Sequence, residues 1–238
     1  MKKYDTIAFD LDGTLLPMDQ NIFVKAYFKG LAEKLAPFGF KSEELIKAIW
    51  GGTTAMINNC GETTNEEVFW QFFEGVFGKS VRNSEPVFTD FYKNEFQKVK
   101  SVCGFDPFAV ETVRRLKNSG IRSVLATNPI FPAIATQSRI RWAGLEPEDF
   151  ELYTTYENIC YCKPNRKYYL EISNRLNVLP EDCLMVGNDV DDDMVAQDIG
   201  MKTFLLTDNL INQSNRDISQ FEHGGFEQLN DYIARLIK

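Results

Sequence analysis

Long apolar runs are the first thing missing from this chain. No stretch of 18 apolar residues occurs among its 238, so no membrane-spanning helix and no membrane partner are expected. Positive charge is in short supply as well: 26 Lys and Arg stand against 34 Asp and Glu, for a formal net charge of −8. With no basic patch, nucleic acid is not an expected partner, and any anion the protein handles must meet locally concentrated positive charge. Cysteine is sparse and odd in number: Cys60, Cys103, Cys160, Cys162 and Cys183 lack zinc-like spacing and read as free thiols of a reducing cytoplasm. Histidine occurs once, as His223, remote in sequence from every motif below, and reads as a surface residue. The Met-Lys-Lys start leads straight into a strand rather than into a signal peptide, and the expected location is cytoplasmic.

What is present is an ordinary globular composition, 44% hydrophobic and 25% charged, long enough for one α/β domain or for one domain carrying an insertion. The stretch FDLDGTLLP, residues 9 to 17, raises the sharpest question. Thr6–Phe9 is short and rich in strand formers, and two carboxylates, Asp10 and Asp12, follow it before a turn on Gly13. At about 4 Å and an effective dielectric near 20, a like-charge pair costs on the order of 4 kcal/mol. A positive group must stand nearby, or one acid must hold a proton. Taken alone, D-x-D-G is equally a solvated strand end with a turn.

Between this stretch and residue 104 the pattern is helical. Ile22, Phe23, Ala26, Tyr27, Leu31 and Leu35 recur at helical spacing, Ser42 and Thr64 open capped helices, and a further helix is expected from Phe88 to Lys98. The phenylalanines at 69, 72, 73, 77, 88, 91 and 96 read as a core stripe. No strand alternates with these helices, so residues 17–104 are expected to form a separate all-helical unit. From Phe105 onward helices and strands alternate. Helices are expected at Pro107–Ser119, Ala133–Ala143 and Arg166–Leu176, and one ending at Gly200. Strands are expected at Arg122–Ala126, Leu152–Thr154 and Cys183–Val186, with a last one at Thr203–Leu206. This alternation implies a parallel sheet with helices on both faces, in which ligands sit at the carboxyl ends of the strands.

The polar residues fall at those ends. The first strand runs into Asp10-Leu11-Asp12-Gly13-Thr14, the second into Thr127-Asn128, the third leads to Lys163-Pro164, and the fourth into Gly187-Asn188-Asp189-Val190-Asp191-Asp192-Asp193. Each is weak alone; four in one sheet converge on one place. In that order the blocks DLDGT, LATN, CKPN and VGNDVDDDM resemble the four motifs of the haloacid dehalogenase superfamily of phosphatases and related hydrolases. The resemblance implies a Rossmann-like core at 1–16 and 105–238, a helical cap at 17–104, an aspartyl-phosphate intermediate and magnesium.

The residues suit that chemistry. Asp10 can attack phosphorus as a nucleophile, and Asp12 can protonate the leaving alcohol and then deprotonate water. Thr127 and the backbone N–H of Asn128 can hold phosphoryl oxygens beside the fixed charge of Lys163. Mg2+ prefers oxygen ligands. The expected metal set is Asp10, Asp12 and Asp193 with either Asn188, by gapless match, or Asp189, by a one-residue shift. Asp191 and Asp192 read as charges at a helix N-terminus. The expected partner is a small phosphorylated metabolite, with Gln20, Asn21, Trp50, Asn58, Asn59 and Arg82 as candidate contacts to its leaving group. A dehalogenase would lack the second acid. A sugar phosphomutase would keep both acids, and a non-catalytic phosphoacceptor module of the receiver type would be about half this length.

Overall fold

The computed structural model describes Tyr4 and residues 6–236. Strand β1 (Thr6–Phe9) is wholly buried, and the chain then enters the helical region. Helix α1 (Gln20–Leu35) starts two residues earlier than its apolar spacing suggests, because the Asp19 carboxylate accepts from the backbone N–H groups of Asn21 and Ile22. Helix α2 (Ser42–Ile57) has no side-chain cap; Glu43 and Glu44 in its first turn face the positive end of the helix dipole. Helix α3 (Asn65–Phe77) carries the expected capping box between Thr64 and Glu67.

The single helix expected from Phe88 to Lys98 is instead two pieces. Helix α4 (Glu85–Lys93) ends at Asn94, whose side chain donates to the Asp90 backbone carbonyl and carboxylate, and a 3-10 stretch (Glu95–Val102) follows. An asparagine that bonds back to its own backbone competes with helix propagation.

Residues 17–104 hold no strand among the described residues. The chain leaves and re-enters through adjacent segments: Gly104 N–H donates to the Pro17 carbonyl (2.7 Å), and Met18 bridges Cys103. The phenylalanine stripe is core, apart from Phe72, which is 37% exposed. It is continuous with the rest of the molecule, since Phe96 packs on Trp142 (ring centroids 4.9 Å apart) and Phe23 on Phe131 (6.3 Å).

After helix α5 (Pro107–Asn118), strand β2 (Arg122–Leu125), helix α6 (Ala133–Trp142), strand β3 (Leu152–Tyr153), helix α7 (Arg166–Leu176), strand β4 (Cys183–Gly187) and strand β5 (Lys202–Leu206) follow as expected. The helix expected before Gly200 is a 3-10 turn, Met194–Ile199. Beyond the strand expected to be last lie strand β6 (His223–Gly224) and helix α8 (Phe226–Leu236). A two-residue strand is too short to show a period, but Phe226, Leu229 and Ile233 are buried at helical spacing and were legible. His223 is an exposed residue on this edge strand.

Among the described residues the strands of the sheet pair in parallel, in the order β3-β2-β1-β4-β5-β6. The central strands β1 and β4 are buried along their whole length and mostly apolar, as a sheet covered on both faces requires. Successive strands run outward from β1 in opposite directions, which opens a crevice beside it at the carboxyl edge. Phe9 stands opposite Leu125 and Val186. Asp10 and Asn188 therefore emerge one residue past their strands and Thr127 two past its own, all on one edge.

Candidate active site

Each of the two opening acids has its own cation. Lys163, on the loop before α7 and 2% exposed, donates to Asp10 Oδ1 (2.8 Å) and to Asp193 Oδ1 (2.6 Å). Burial alone would lower the ammonium pKa, but the two flanking carboxylates outweigh it and hold Lys163 charged well above the ordinary lysine range. Asp12 points elsewhere. Its Oδ2 accepts from the guanidinium of Arg139 on α6, which is 1% exposed, donates also to Thr136, and lies over the Phe131 ring at 4.5 Å. Burial raises the Asp12 carboxyl above its usual range, with Arg139 pulling against the rise and Asp10 adding to it. Such a carboxyl can carry a proton more readily than a solvated one.

The turn between them is fixed by close approach. Gly13 has φ +90°, and a Cβ there would lie 2.4 Å from Asn188 Nδ2. Thr14 Oγ1 donates to Asn188 Oδ1 (2.8 Å), Asn188 Nδ2 to the Asn209 carbonyl (2.7 Å), and Asn209 Nδ2 to the Gly13 carbonyl (3.2 Å). The loop after β4 is braced internally: Asp189 Oδ1 accepts from the N–H groups of Asp191 and Asp192, and Asp193 Oδ2 accepts from Asp189 N–H. Burial pushes the carboxyls of Asp189 and Asp193 up, against the opposing pull of loop N–H groups and of Lys163. On the other side, Thr154 Oγ1 (2.6 Å) and Tyr168 OH (2.8 Å) both donate to the Thr127 carbonyl and fix the loop after β2.

All the sequence-predicted site residues meet here. Asp10, Asp12, Thr127, Asn128, Lys163, Asn188, Asp189 and Asp193 line one cavity of about 180 Å3. Asp192 lines it as well, and so faces the site rather than serving only as a helix-end charge. Of the leaving-group candidates only Gln20 lines it. Asn21 lies on a separate surface depression, and Asn58 bonds the Thr54 carbonyl. Asn59 bonds Thr63 and Asn65, Arg82 stacks on Trp70, and Trp50 packs on Phe28. Arg139 was missed. Its signal was a charge on the buried face of α6, beside Ala135, Thr136 and Ile140.

The donor set suits a hard cation. Asp12 Oδ1 and Asn128 Oδ1 are buried acceptors with no hydrogen-bond partner, and the remaining candidates are all oxygens. Among the described residues no three acids close into a cage, because Lys163 stands between Asp10 and Asp193. Magnesium characteristically uses one or two carboxylates together with waters and phosphate oxygens.

Residues 4–200 match the family model described as haloacid dehalogenase-like hydrolase. The chain belongs to this family. It is 24% identical over 204 residues to the pyrophosphatase PpaX of Bacillus cereus, covering 84% of this chain and 82% of that one. Its fold is similar to that of a predicted phosphoglycolate phosphatase from Haemophilus somnus, at 20% identity, 98% and 99% coverage and a TM-score of 0.57. A HAD hydrolase of Bacillus subtilis, YfnB, bound to magnesium, is similar at 17% identity, 98% and 100% coverage and a TM-score of 0.56.

The Arg139–Asp12 pair makes a direct prediction. Arg139→Gln leaves Asp12 without its cation, and stability to urea should fall by about 3 kcal/mol, the scale of breaking a largely buried pair. Arg139→Lys should recover part of the loss. A change within about 0.5 kcal/mol, the range of ordinary surface substitutions, would mean the pair is not holding the fold.

Proposed function

We propose that this hydrolase cleaves a small phosphate monoester through an aspartyl-phosphate on Asp10, with Mg2+ as cofactor. The observation that carries the reading is the division of labour between the two acids: Asp10 beside the fixed charge of Lys163, and Asp12, with a raised pKa, beside Arg139. The similarity to a pyrophosphatase and the magnesium in a structural neighbour support it.

In the first step a carboxylate oxygen of Asp10 attacks phosphorus, the P–O bond to the alcohol breaks, and Asp12 gives its proton to the departing oxygen. Lys163 and the N–H groups of the loop at Thr127 and Asn128 hold the phosphoryl oxygens as charge shifts among them. In the second step Asp12 takes a proton from water, which attacks the aspartyl-phosphate; Asp10 is regenerated and phosphate leaves. Asp10 and Asp193 would hold the metal with an oxygen from Asn188 or Asp189, each of which already accepts a hydrogen bond, Asn188 Oδ1 from Thr14 and Asp189 Oδ1 from its own loop. When bound, Mg2+ supplies charge neutralisation between the acids and a dianionic ester. Residues 17–104 act as a cap, a division supported by the paired exit and entry segments at Pro17-Met18 and Cys103-Gly104.

Asp10→Asn should abolish phosphate release, and chelation should silence the native protein until Mg2+ is restored. Full activity in chelated buffer would overturn the metal assignment. Asp12→Asn should differ: with p-nitrophenyl phosphate, whose leaving group needs no proton, it should give a burst of about one equivalent and then slow by roughly 10²–10⁴-fold. Steady turnover near the native rate would remove Asp12 from acid–base duty. For the cap, replacing residues 19–102 by a short linker should leave a core that unfolds cooperatively and hydrolyses small esters with little discrimination. Loss of cooperative unfolding would show the helices to be integral to the domain.

A further inference from the structure

We infer that the leaving group accepted by this site is uncharged and largely hydrocarbon, so that pyrophosphate and carboxylate-bearing phosphate esters are poor substrates. The inference rests on the phosphatase reading above and adds the class of substrate. Apart from the polar residues already assigned to the phosphoryl and metal positions, the cavity is lined by Met18, Phe23 and Val24 around the start of α1 and by Ile130 and Phe131 after β2. Gln20 and, from the loop after β4, Asp192 are the polar side chains beside them. The cavity, about 180 Å3, is below the roughly 300–1,000 Å3 usual for ligand pockets, which suits a leaving group of few atoms.

Charge decides the class. Among the described residues, five carboxylates (Asp10, Asp12, Asp189, Asp192 and Asp193) and one ammonium, Lys163, line the cavity. That ammonium is already flanked by Asp10 and Asp193, and the buried guanidinium of Arg139 is turned onto Asp12. The metal proposed above is committed to the phosphoryl group. A second anionic group, whether the terminal phosphate of pyrophosphate or the carboxylate of phosphoglycolate, would lose its hydration against apolar side chains with no cation to meet it. A hydrocarbon in the same place gains by leaving water. This chain thus departs from the substrates named for the pyrophosphatase and the phosphoglycolate phosphatase it resembles.

The test uses the full chain with excess Mg2+ and two readouts. Phosphate release is measured with propyl phosphate, phosphoglycolate and pyrophosphate. Binding is measured by calorimetry with propylphosphonate, 3-phosphonopropionate, which differs from it by a carboxylate in place of a methyl group, and methylenediphosphonate. Propyl phosphate should lead in kcat/KM, and propylphosphonate in affinity, by at least about tenfold, the scale on which pockets discriminate single groups. Val24→Lys, which puts an ammonium on the apolar lining, should shift the binding ratio toward 3-phosphonopropionate. Equal or tighter binding of either analogue with a second anionic group by the native protein overturns the inference, as does an unchanged ratio in Val24→Lys or no binding of any phosphonate. Preferential propylphosphonate binding with no hydrolysis of any ester leaves the pocket assignment standing and overturns the phosphatase reading alone.

Discussion

One buried ammonium organises the carboxyl edge of the sheet. Lys163 reaches Asp10 from β1 and Asp193 from the loop after β4, so a single side chain ties together three segments that are far apart in sequence. Three charges taken out of water are costly, and their attraction offsets part of that cost because the geometry is close and the Asp189 N–H satisfies the second oxygen of Asp193. Removing Lys163 would leave two buried carboxylates facing each other without a cation. The same arrangement that stabilises the fold thus holds Asp10 beside a permanent positive charge, and the site's electrostatics cannot be separated from the sheet's integrity.

The second acid depends on a longer chain of contacts. Asp12 pairs with Arg139, Arg139 lies on the Phe131 ring, and Phe131 packs edge-on against Phe23 and Tyr27 of α1. The helical region therefore reaches the Asp12–Arg139 pair through one aromatic ring. Phe96 on Trp142 adds a second apolar link between that region and the sheet. A displacement of α1 would alter the face on which the guanidinium rests. The aromatic richness of residues 17–104 accordingly has a consequence beyond packing.

Local chemistry wrote much of this into the sequence. Apolar runs ending in Asp10, Thr127 and Asn188 marked strands and their ligand-facing ends, because a parallel sheet buried on both faces leaves polar residues only at its edges. The Thr64–Glu67 capping box marked the start of α3. Legibility failed where a local alternative won: Asn94 bonds back to Asp90 and splits a run whose apolar spacing continues through it. It failed again at β6, where two residues carry no period.

The sequence by itself determined the order of elements, the family motifs and the gathering of acids at one sheet edge, since these follow from periodicity and from chain topology. Only the tertiary structure decided which cation serves which acid. Arg139 lies 127 residues from Asp12 and Lys163 lies 153 from Asp10, separations at which no local pattern links one residue to the other. It also decided that Met18, Phe23, Val24, Ile130 and Phe131 line the cavity while Trp50, Asn58, Asn59 and Arg82 do not. Composition names the side chains available, but the packing of α1 against the loop after β2 chooses which of them a ligand would meet.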